Sequence, residues 1–184
     1  KYDIITTNPP FGIDGLNYDE ITPSNISRDK YLPIKSSSAV TLFLQAIIYM
    51  LKINGRCGVV LPDGKELFTR NKELVSLRTL LLKTCDLEEI VSIPGGIFTN
   101  TSIKTCVFFF TKKKSFDEIL DTKISISKRT QKETNRKYNF KKRFTTENVK
   151  FSQFNPDTME SKEILTVSID KIIHNDCSLN YQEY

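Results

Sequence analysis

The sequence predicts an α/β fold, because apolar strand-like runs alternate with segments of helical periodicity along its first 114 residues. Four of these runs have the length of buried strands and end at proline, glycine or charged residues. After Lys114 the pattern weakens and basic residues dominate. We therefore predict a domain over residues 1–114, with a sheet that is at least partly parallel, and a basic appended tail over residues 115–184 with little core of its own.

The first predicted strand is Tyr2–Thr7, which we expect to be buried and which Asn8-Pro9-Pro10 stops, since proline cannot continue a central strand. A long polar stretch, 12–35, follows and is interrupted by Gly15, Pro23 and Pro33. A loop of this length inside a compact domain is usually functional or mobile.

A helix is predicted next, because Ser36, Ser37 and Ser38 offer N-caps and an apolar face of period 3.6 begins after them. Gly55 supplies the predicted end of this helix. The residues of the face, which we assign to the core, are Val40, Phe43, Leu44, Ile47 and Leu51.

The remaining elements complete the alternating pattern. A second helix carries its core face at Leu74, Leu77 and Leu81. Three further strands are predicted at Cys57–Pro62, Glu89–Pro94 and Thr105–Thr111. Because no helix separates the last two strands, they are able to pair antiparallel.

Size and composition suit a soluble globular domain: the chain has 184 residues, of which 39% are hydrophobic and 27% charged. No apolar run reaches the roughly 18 residues of a membrane span, so we expect no membrane association. The chain starts at Lys1, directly on a strand-like run, and we expect it to be a piece of a longer protein.

The four cysteines show no C-x-x-C spacing and there is one histidine, His174, which we interpret as a surface residue. This pattern argues against a metal site. Cys57 and Cys106 lie in apolar strand-like runs, which is typical of buried reduced thiols and a cytoplasmic location.

The positive charge is concentrated between residues 122 and 143, where nine basic residues and one acid give +8. The net charge of the whole chain is +5, so the remaining residues sum to −3. Such a stretch fits contacts with a phosphate backbone, and it fits a solvated loop equally well. The interleaved Tyr138, Phe140 and Phe144 slightly favour nucleic acid. The candidate DNA-binding residues are Lys128, Arg129, Lys132, Arg136, Lys137, Lys141, Lys142 and Arg143.

The motif that points to chemistry is Asn8-Pro9-Pro10-Phe11, directly after a strand, where open α/β sheets bind ligands. The Asn8 amide oxygen and the Pro9 carbonyl are two acceptors that the stiff prolines hold at a fixed spacing. Phe11 offers a flat face for stacking. A turn without function is the alternative. Asp63 ends a later strand, which fits a place near the site, but an ordinary turn aspartate is the favoured interpretation.

Two acceptors and a stacking face match an amino group on an aromatic base. The lone pair of such a nitrogen is delocalised into the ring, and acceptors that pull on its two protons make the nitrogen more nucleophilic. Transfer of a methyl group from a sulfonium then depends on positioning more than on a strong base. The absence of a catalytic-looking histidine or cysteine is consistent with this mechanism.

The sequence Tyr-Asp-Ile-Ile-Thr-Thr-Asn-Pro-Pro-Phe-Gly resembles the catalytic motif of N6-adenine DNA methyltransferases, above all the modification subunit of type I restriction–modification systems. The segments 43–62 and 93–112, together with Ser178-Leu179-Asn180-Tyr181, resemble later stretches of that subunit. The resemblance implies the later half of a class I S-adenosylmethionine-dependent methyltransferase sheet. That sheet is Rossmann-like and mostly parallel, with one antiparallel strand.

The resemblance also implies site roles. Asn8 and the Pro9 carbonyl hold the amino group of an adenine flipped out of double-stranded DNA, Phe11 stacks on the base, and Pro10 stiffens the turn. Asn8 also borders the S-adenosylmethionine site. The family's Gly-rich cofactor turn, of F-x-G-x-G type, is missing from the chain. We therefore expect most of the cofactor pocket upstream of Lys1, and no methylation by this chain alone.

Other functions remain open at this point. Methyltransferases that act on protein glutamine or on RNA use a similar motif, although they usually carry tyrosine at the position of Phe11. A truncated, non-catalytic module that binds DNA or a specificity subunit is a further alternative. In the resembled group, the DNA sequence is often recognised by a separate specificity subunit.

Overall fold

The computed structural model describes residues 1–21, 27–97, 103–119 and 144–184. In these ranges the chain forms one six-stranded sheet, in the order β1-β2-β4-β3-β5-β6. The strands are β1 Tyr2–Thr7, β2 Leu51–Pro62, β3 Cys85–Ile93, β4 Thr105–Lys112, β5 Asn148–Asn155 and β6 Glu160–Ser168. The α-helices are α1 Arg28–Tyr31, α2 Ala39–Met50, α3 Lys65–Phe68, α4 Lys72–Thr84 and α5 Ile169–His174. Short 3-10 helices lie at Tyr18–Glu20 and Tyr181–Glu183.

Strand directions make the sheet mixed. Parallel pairing joins β1 to β2 and β3 to β5, and β4 is antiparallel to both β2 and β3. The predicted antiparallel pairing of the strands on either side of residues 94–104 is therefore confirmed. A second strand, β6, is also antiparallel to its neighbour, where the resemblance implied one such strand. The carboxyl ends of β1, β2, β3 and β5 consequently lie at one edge of the sheet.

The helices α2 and α4 supply the core faces that their periodicity predicts. Leu74, Leu77 and Leu81 are buried in one apolar cluster with side chains of the sheet, as are most of the residues predicted on the α2 face. Phe43 is the exception, since 42% of it is exposed. The buried side of α2 continues through Ile48, which is fully buried, instead of through Phe43.

The predicted helix end at Gly55 is wrong. The helix α2 ends at Met50, and Gly55 lies inside β2 next to a shift in the β1–β2 register. A Cβ atom at Gly55 would stand 3.0 Å from the carbonyl oxygens of both Lys52 and Tyr2. The glycine is therefore required by the close approach of backbone to backbone, and the helix ends because Leu51 adopts an extended conformation.

The segment 144–184 is more than an appended tail. The strand β5 pairs with β3, and Val149, Phe151, Ile172 and Leu179 are buried in the same cluster as the α2 and α4 residues. No break in the sheet coincides with the boundary predicted at residue 114. The alternation in β5 covers too few residues to stand out among the polar residues around it. Residues 120–143, which carry the basic stretch at 122–143, lie outside the described residues.

The strand β1 is exposed, although the sequence predicted a buried one. Tyr2 and Ile4 are 57% and 62% exposed. The reason is that β1 lies at an edge of the described sheet, so one strand borders it and its outer side has no described neighbour.

The four cysteines are buried and free, as predicted for Cys57 and Cys106. None of the helices in the described ranges is long and apolar enough to cross a membrane.

Candidate functional site

The Asn8–Phe11 turn leaves the carboxyl end of β1. Asn8 and Pro10 are exposed, Pro9 is buried and Phe11 is half-buried. Within the described part of the chain, no hydrogen bond occupies the Asn8 side chain or the Pro9 carbonyl. Both acceptors therefore have no hydrogen-bond partner in the described chain, and they lie beside a ring that is partly open to solvent.

The chain that leaves the turn is fixed to the start of α2. Gly12 and Gly15 have φ values of +71° and +79°, a left-handed conformation that glycine adopts without strain. The carbonyl of Ile13, between them, accepts a hydrogen bond of 3.0 Å from the Ala39 N–H. The Leu16 N–H donates to the Ser37 carbonyl at 3.0 Å. These two bonds hold the exit of the turn against the start of α2.

The stretch between the turn and α2 has a small core of its own in its described residues. Tyr18, Leu32 and Leu42 are buried together, apart from the main cluster. The amide of Gln45 on α2 accepts a hydrogen bond from the Ile34 N–H at 2.7 Å and donates to the Ile34 carbonyl at 3.0 Å. The predicted loop is therefore docked on α2 by apolar and polar contacts.

Charges in this docked stretch compensate one another. The Asp19 carboxylate lies 2.7 Å from the Lys35 Nζ and 3.3 Å from an Arg28 nitrogen. The hydrogen bond from Lys35 is the main reason that the pKa of Asp19 lies below its usual value. The Arg28 guanidinium also stands over the ring of Tyr18, at 4.7 Å from its centre.

Two further polar groups lie at the same edge of the sheet: Asp63, for which the sequence left a place near the site open, and Thr105, which the sequence did not single out. Asp63 follows β2, and its N–H donates to the Lys104 carbonyl at 2.8 Å. Its half-buried carboxyl group has no hydrogen bond among the described residues, and burial raises its pKa, with Lys104 acting in the opposite direction. Thr105 begins β4 opposite Pro62 and Ile93, and its fully buried hydroxyl has no hydrogen-bond partner.

The late segment Ser178–Tyr181 closes the core beside this edge. The Leu179 N–H donates to the Leu67 carbonyl on α3 at 2.9 Å, and Leu179 is 2% exposed. The ring of Tyr181 lies 6.3 Å from that of Phe151. These contacts give the segment a structural role in joining the end of the chain to α3 and β5.

The other predicted positions contribute little to the described site. The eight basic residues predicted to bind DNA lie outside the described residues. His174 is exposed, as predicted, and its Nδ1 lies 2.6 Å from the Asp170 carbonyl oxygen. No group of three or more histidine, cysteine, aspartate or glutamate residues in the described ranges is placed to hold a metal ion.

The fold is that of methyltransferase subunits. The structure of a type I restriction–modification methyltransferase subunit from Streptococcus thermophilus superposes with a TM-score of 0.65 at 22% identity, over 100% of this chain and 38% of that chain. The crystal structure of the EcoKI M protein superposes with a TM-score of 0.55 at 26% identity, over 87% of this chain and 28% of that chain.

Sequence comparison defines the family. The profile of the N-6 DNA methylase family matches residues 1–184, so the chain belongs to that family. The EcoEI methylase subunit of Escherichia coli is 41% identical over 122 residues, which are 65% of this chain and 23% of that protein. The EcoKI methylase subunit of Escherichia coli K12 is 38% identical over 112 residues, 61% of this chain and 19% of that protein. The chain thus spans about a fifth to a quarter of these type I restriction enzyme subunits.

Proposed function

We propose that this chain carries the base-binding catalytic part of a methyltransferase that transfers a methyl group from S-adenosylmethionine to N6 of adenine in DNA, within a restriction–modification system. The observation that supports this most directly is the Asn8–Phe11 turn at the carboxyl end of β1. Its two acceptors are unoccupied within the described chain, and its aromatic ring is half-buried.

Each residue of the turn has a proposed role. The Asn8 side-chain oxygen and the Pro9 carbonyl accept the two protons of the adenine amino group, so that its nitrogen presents its lone pair outward. Phe11 stacks on the ring of the flipped base and fixes its plane. Pro10 limits the conformations of the turn, and the Ile13 and Leu16 hydrogen bonds to the start of α2 hold its exit.

S-adenosylmethionine, when bound, supplies the methyl group as an electrophile. Asn8 fits a place beside this cofactor, because it is exposed at the end of β1, whose outer edge has no neighbour in the described sheet. The 184 residues contain no Gly-rich turn of F-x-G-x-G type. We infer that most of the cofactor pocket lies upstream in a longer methyltransferase, and that this chain alone does not methylate. Tight binding of S-adenosylmethionine to this chain in calorimetry would overturn that inference.

The proposed partners are double-stranded DNA and a separate specificity subunit in the cytoplasm. The relatives are methylase subunits of type I restriction enzymes, and one structural neighbour comes from a study of complex assembly in a type I system. The family membership favours DNA over protein glutamine or RNA as the substrate.

The test is to identify the methylated product. DNA is treated with labelled S-adenosylmethionine and the methyltransferase that contains this chain, then digested and analysed by mass spectrometry. We expect N6-methyladenine, and a roughly 100-fold loss of rate with Asn8→Ala, since one preorganised polar contact is removed. The control is Asn148→Ala, because Asn148 is also exposed, has no side-chain hydrogen bond among described residues and starts β5 at the opposite edge.

Other outcomes of this experiment identify the alternatives. A methylated glutamine or a methylated RNA base would replace the proposed substrate. An active Asn8→Ala variant would remove the turn from the mechanism. Binding of DNA without any methyl transfer by the complete enzyme would indicate a non-catalytic module.

A further inference from the structure

We propose that Ile13 is a DNA-contacting residue, whose side chain enters the base stack of the duplex and fills the space left by the adenine that the Asn8–Phe11 turn extracts. The inference rests on the proposed function and adds a residue to it. Four observations support it: the exposure of Ile13, its fixed backbone, its place at the same edge of the sheet as Asn8, and the exposed Phe43 on the adjoining helix.

Ile13 carries an apolar side chain that takes no part in the core. It is 44% exposed, and it belongs to neither of the two apolar clusters that the described residues form. Its neighbours Gly12, Asp14 and Gly15 are exposed as well. A Cβ atom added at Gly12 or at Gly15 would meet no described atom within 4 Å beyond the adjacent residues. The bend that carries Ile13 therefore has open space on both sides.

The backbone of Ile13 is nevertheless held in one place. Its carbonyl accepts the hydrogen bond of 3.0 Å from the Ala39 N–H, and the Leu16 N–H donates to the Ser37 carbonyl at 3.0 Å. The isoleucine side chain is branched at Cβ and has few rotamers, so it loses little conformational entropy when a partner surrounds it. A stiff apolar side chain on a fixed backbone is suited to insertion between bases.

The path of the chain on both sides of Ile13 fixes its position. On one side it follows Asn8 by five residues, a separation of at most about 18 Å. On the other side it is bonded to Ala39, the first residue of α2. The helix α2 connects the parallel strands β1 and β2, and β2 follows it without a loop, so α2 starts near the carboxyl ends of these strands. Ile13 and Asn8 therefore lie at the same edge of the sheet.

The geometry of a flipped base matches this position. A base that rotates out of the duplex stays attached to its own sugar, so the space that it leaves lies on the order of 10 Å from the pocket, about the depth of a DNA groove. The separation of Ile13 from Asn8 allows it to reach that space. Extraction breaks the base pair and the stacking on both neighbours, and an apolar side chain in the vacated space replaces part of the lost contact.

Phe43 adds a second exposed apolar side chain beside the bend. It lies one helical turn after Ala39, on the same face of α2, and it is 42% exposed. A single exposed apolar residue is ordinary on a protein surface, whereas two that adjoin beside a candidate site indicate a contact surface. DNA is the favoured occupant, because this surface borders the turn that holds the base.

The test compares duplexes that differ in the cost of extracting the adenine. The complete methyltransferase acts on the site that its product analysis identifies, with the target adenine either paired with thymine or opposite an abasic position. We expect Ile13→Ala to methylate the paired adenine about tenfold more slowly in a single turnover. On the unpaired adenine it should approach the rate of the unmodified protein, because an unpaired base costs less to extract. Ile13→Leu, which keeps an apolar side chain, should retain most of the rate on both duplexes.

A second readout follows the extraction itself. With 2-aminopurine in place of the target adenine, unstacking of the base raises its fluorescence. We expect a smaller rise with Ile13→Ala than with the unmodified protein or Ile13→Leu.

The control is Ile164→Ala. Ile164 is 40% exposed, close to the value for Ile13, but it lies on β6, the last strand at the other side of the sheet. We expect this variant to keep the rate of the unmodified protein on both duplexes. Because Ile13 is exposed, urea denaturation should show nearly the same stability for Ile13→Ala and the unmodified protein.

The outcomes separate this inference from the proposed function. If Asn8→Ala is inactive but Ile13→Ala keeps its full rate on the paired duplex, or loses the same factor on both duplexes, Ile13 does not assist extraction and the inference is wrong. An equal loss together with weaker assembly with the specificity subunit would make this surface a protein interface instead. If the complete enzyme methylates no adenine, or Asn8→Ala keeps its activity, the proposed function fails and the inference fails with it.

Discussion

The Ser36 hydroxyl donates a hydrogen bond of 2.5 Å to the Glu73 carboxylate, and it joins the chain that leads into α2 to the first turn of α4. The same hydroxyl accepts a hydrogen bond of 2.9 Å from the Ser38 N–H. The Glu73 N–H is itself capped by the Asn71 side chain at 2.8 Å. One buried serine therefore links the starts of two helices, close to where the candidate turn is held.

This link predicts a measurable cost for Ser36→Ala. The substitution removes a hydrogen bond to a charged acceptor and leaves the Ser38 N–H without its partner, so we expect the free energy of unfolding to fall by about 2 kcal/mol. Urea denaturation measures the change. The matched control is Ser76→Ala, which removes an exposed hydrogen bond to the Lys72 carbonyl within α4 and should cost less than about 0.5 kcal/mol. Equal costs for the two variants would show that the link to Glu73 adds no stability.

Replacing Arg78 on α4 should lower the stability of the protein more than replacing Ser36. Its guanidinium is buried and donates to the carbonyls of Cys177, Thr69 and Asp176 at 2.8, 3.0 and 3.2 Å. Arg78→Met leaves these three carbonyls unpaired, two of them on residues with positive φ, and should lower the free energy of unfolding by about 3 kcal/mol.

The control for Arg78 is Arg70→Met. Arg70 also contacts this part of the chain, through the side chains of Asn175 and Asp176, but 68% of its side chain is exposed. Its loss should cost less than about 1 kcal/mol, because exposed ion pairs are weak. A comparable loss in both variants would contradict the proposed role of burial.

The fold could be predicted from the sequence where local patterns determine it. The helical period of Leu74, Leu77 and Leu81 and the apolar run 105–111 were sufficient to place α4 and β4. The pattern could not show that β1 is exposed, because its apolar residues resemble those of a central strand. The participation of β5 was also hidden, since its pairing with β3 is non-local and its alternating segment is short.

The candidate site, like the fold, could be predicted only where its residues are close together in sequence. The Asn8–Phe11 turn is local in sequence, so the chemistry of its residues could be read directly. Asp63 and Thr105 reach the same edge of the sheet only through the register of β2 and β4, which no local pattern reveals. The docking of Tyr18 on α2 was hidden for a similar reason, because its buried neighbours Leu32 and Leu42 are far from it in sequence.

The basic stretch predicts salt-dependent DNA binding. Each phosphate contact contributes a slope of about −0.9 to the logarithm of affinity against the logarithm of salt concentration. The variant Lys141→Gln and Lys142→Gln should therefore reduce the magnitude of the slope by up to about 2 if both residues contact phosphates. Fluorescence anisotropy over a salt series measures it.

A control variant with the same change of charge elsewhere in the chain tests whether the effect depends on the position of the two lysines. Lys162 on β6 and Lys171 on α5 are exposed, and their replacement by glutamine should leave the slope unchanged. A flat salt dependence of the unmodified protein, or equal effects of the two double variants, would show that residues 141 and 142 make no phosphate contacts and that the stretch is a solvated loop.

Lys112 predicts that stability depends on pH. It is 2% exposed, and its Nζ donates to the Leu51 carbonyl at 2.9 Å, where α2 gives way to β2. Burial is the main cause that lowers the pKa of Lys112 from 10.5 to about 8. Between these two values the unfolded chain holds the proton and the folded chain does not, so the contribution of this group to stability rises with pH. The full difference is on the order of 3 kcal/mol.

The measurement is the free energy of unfolding of the unmodified protein minus that of Lys112→Met, at several pH values from 7.5 to 10.5. This difference should increase across the range, because the penalty of the buried charge is fully present below pH 8 and is relieved as the amine loses its proton. Taking the difference cancels contributions from groups that do not interact with Lys112, such as the Cys57 thiol, whose pKa burial raises to about 12. The neighbouring exposed Lys113→Met provides the control. A difference that stays constant for Lys112→Met would mean that its amine has the same proton affinity in the folded and unfolded chains.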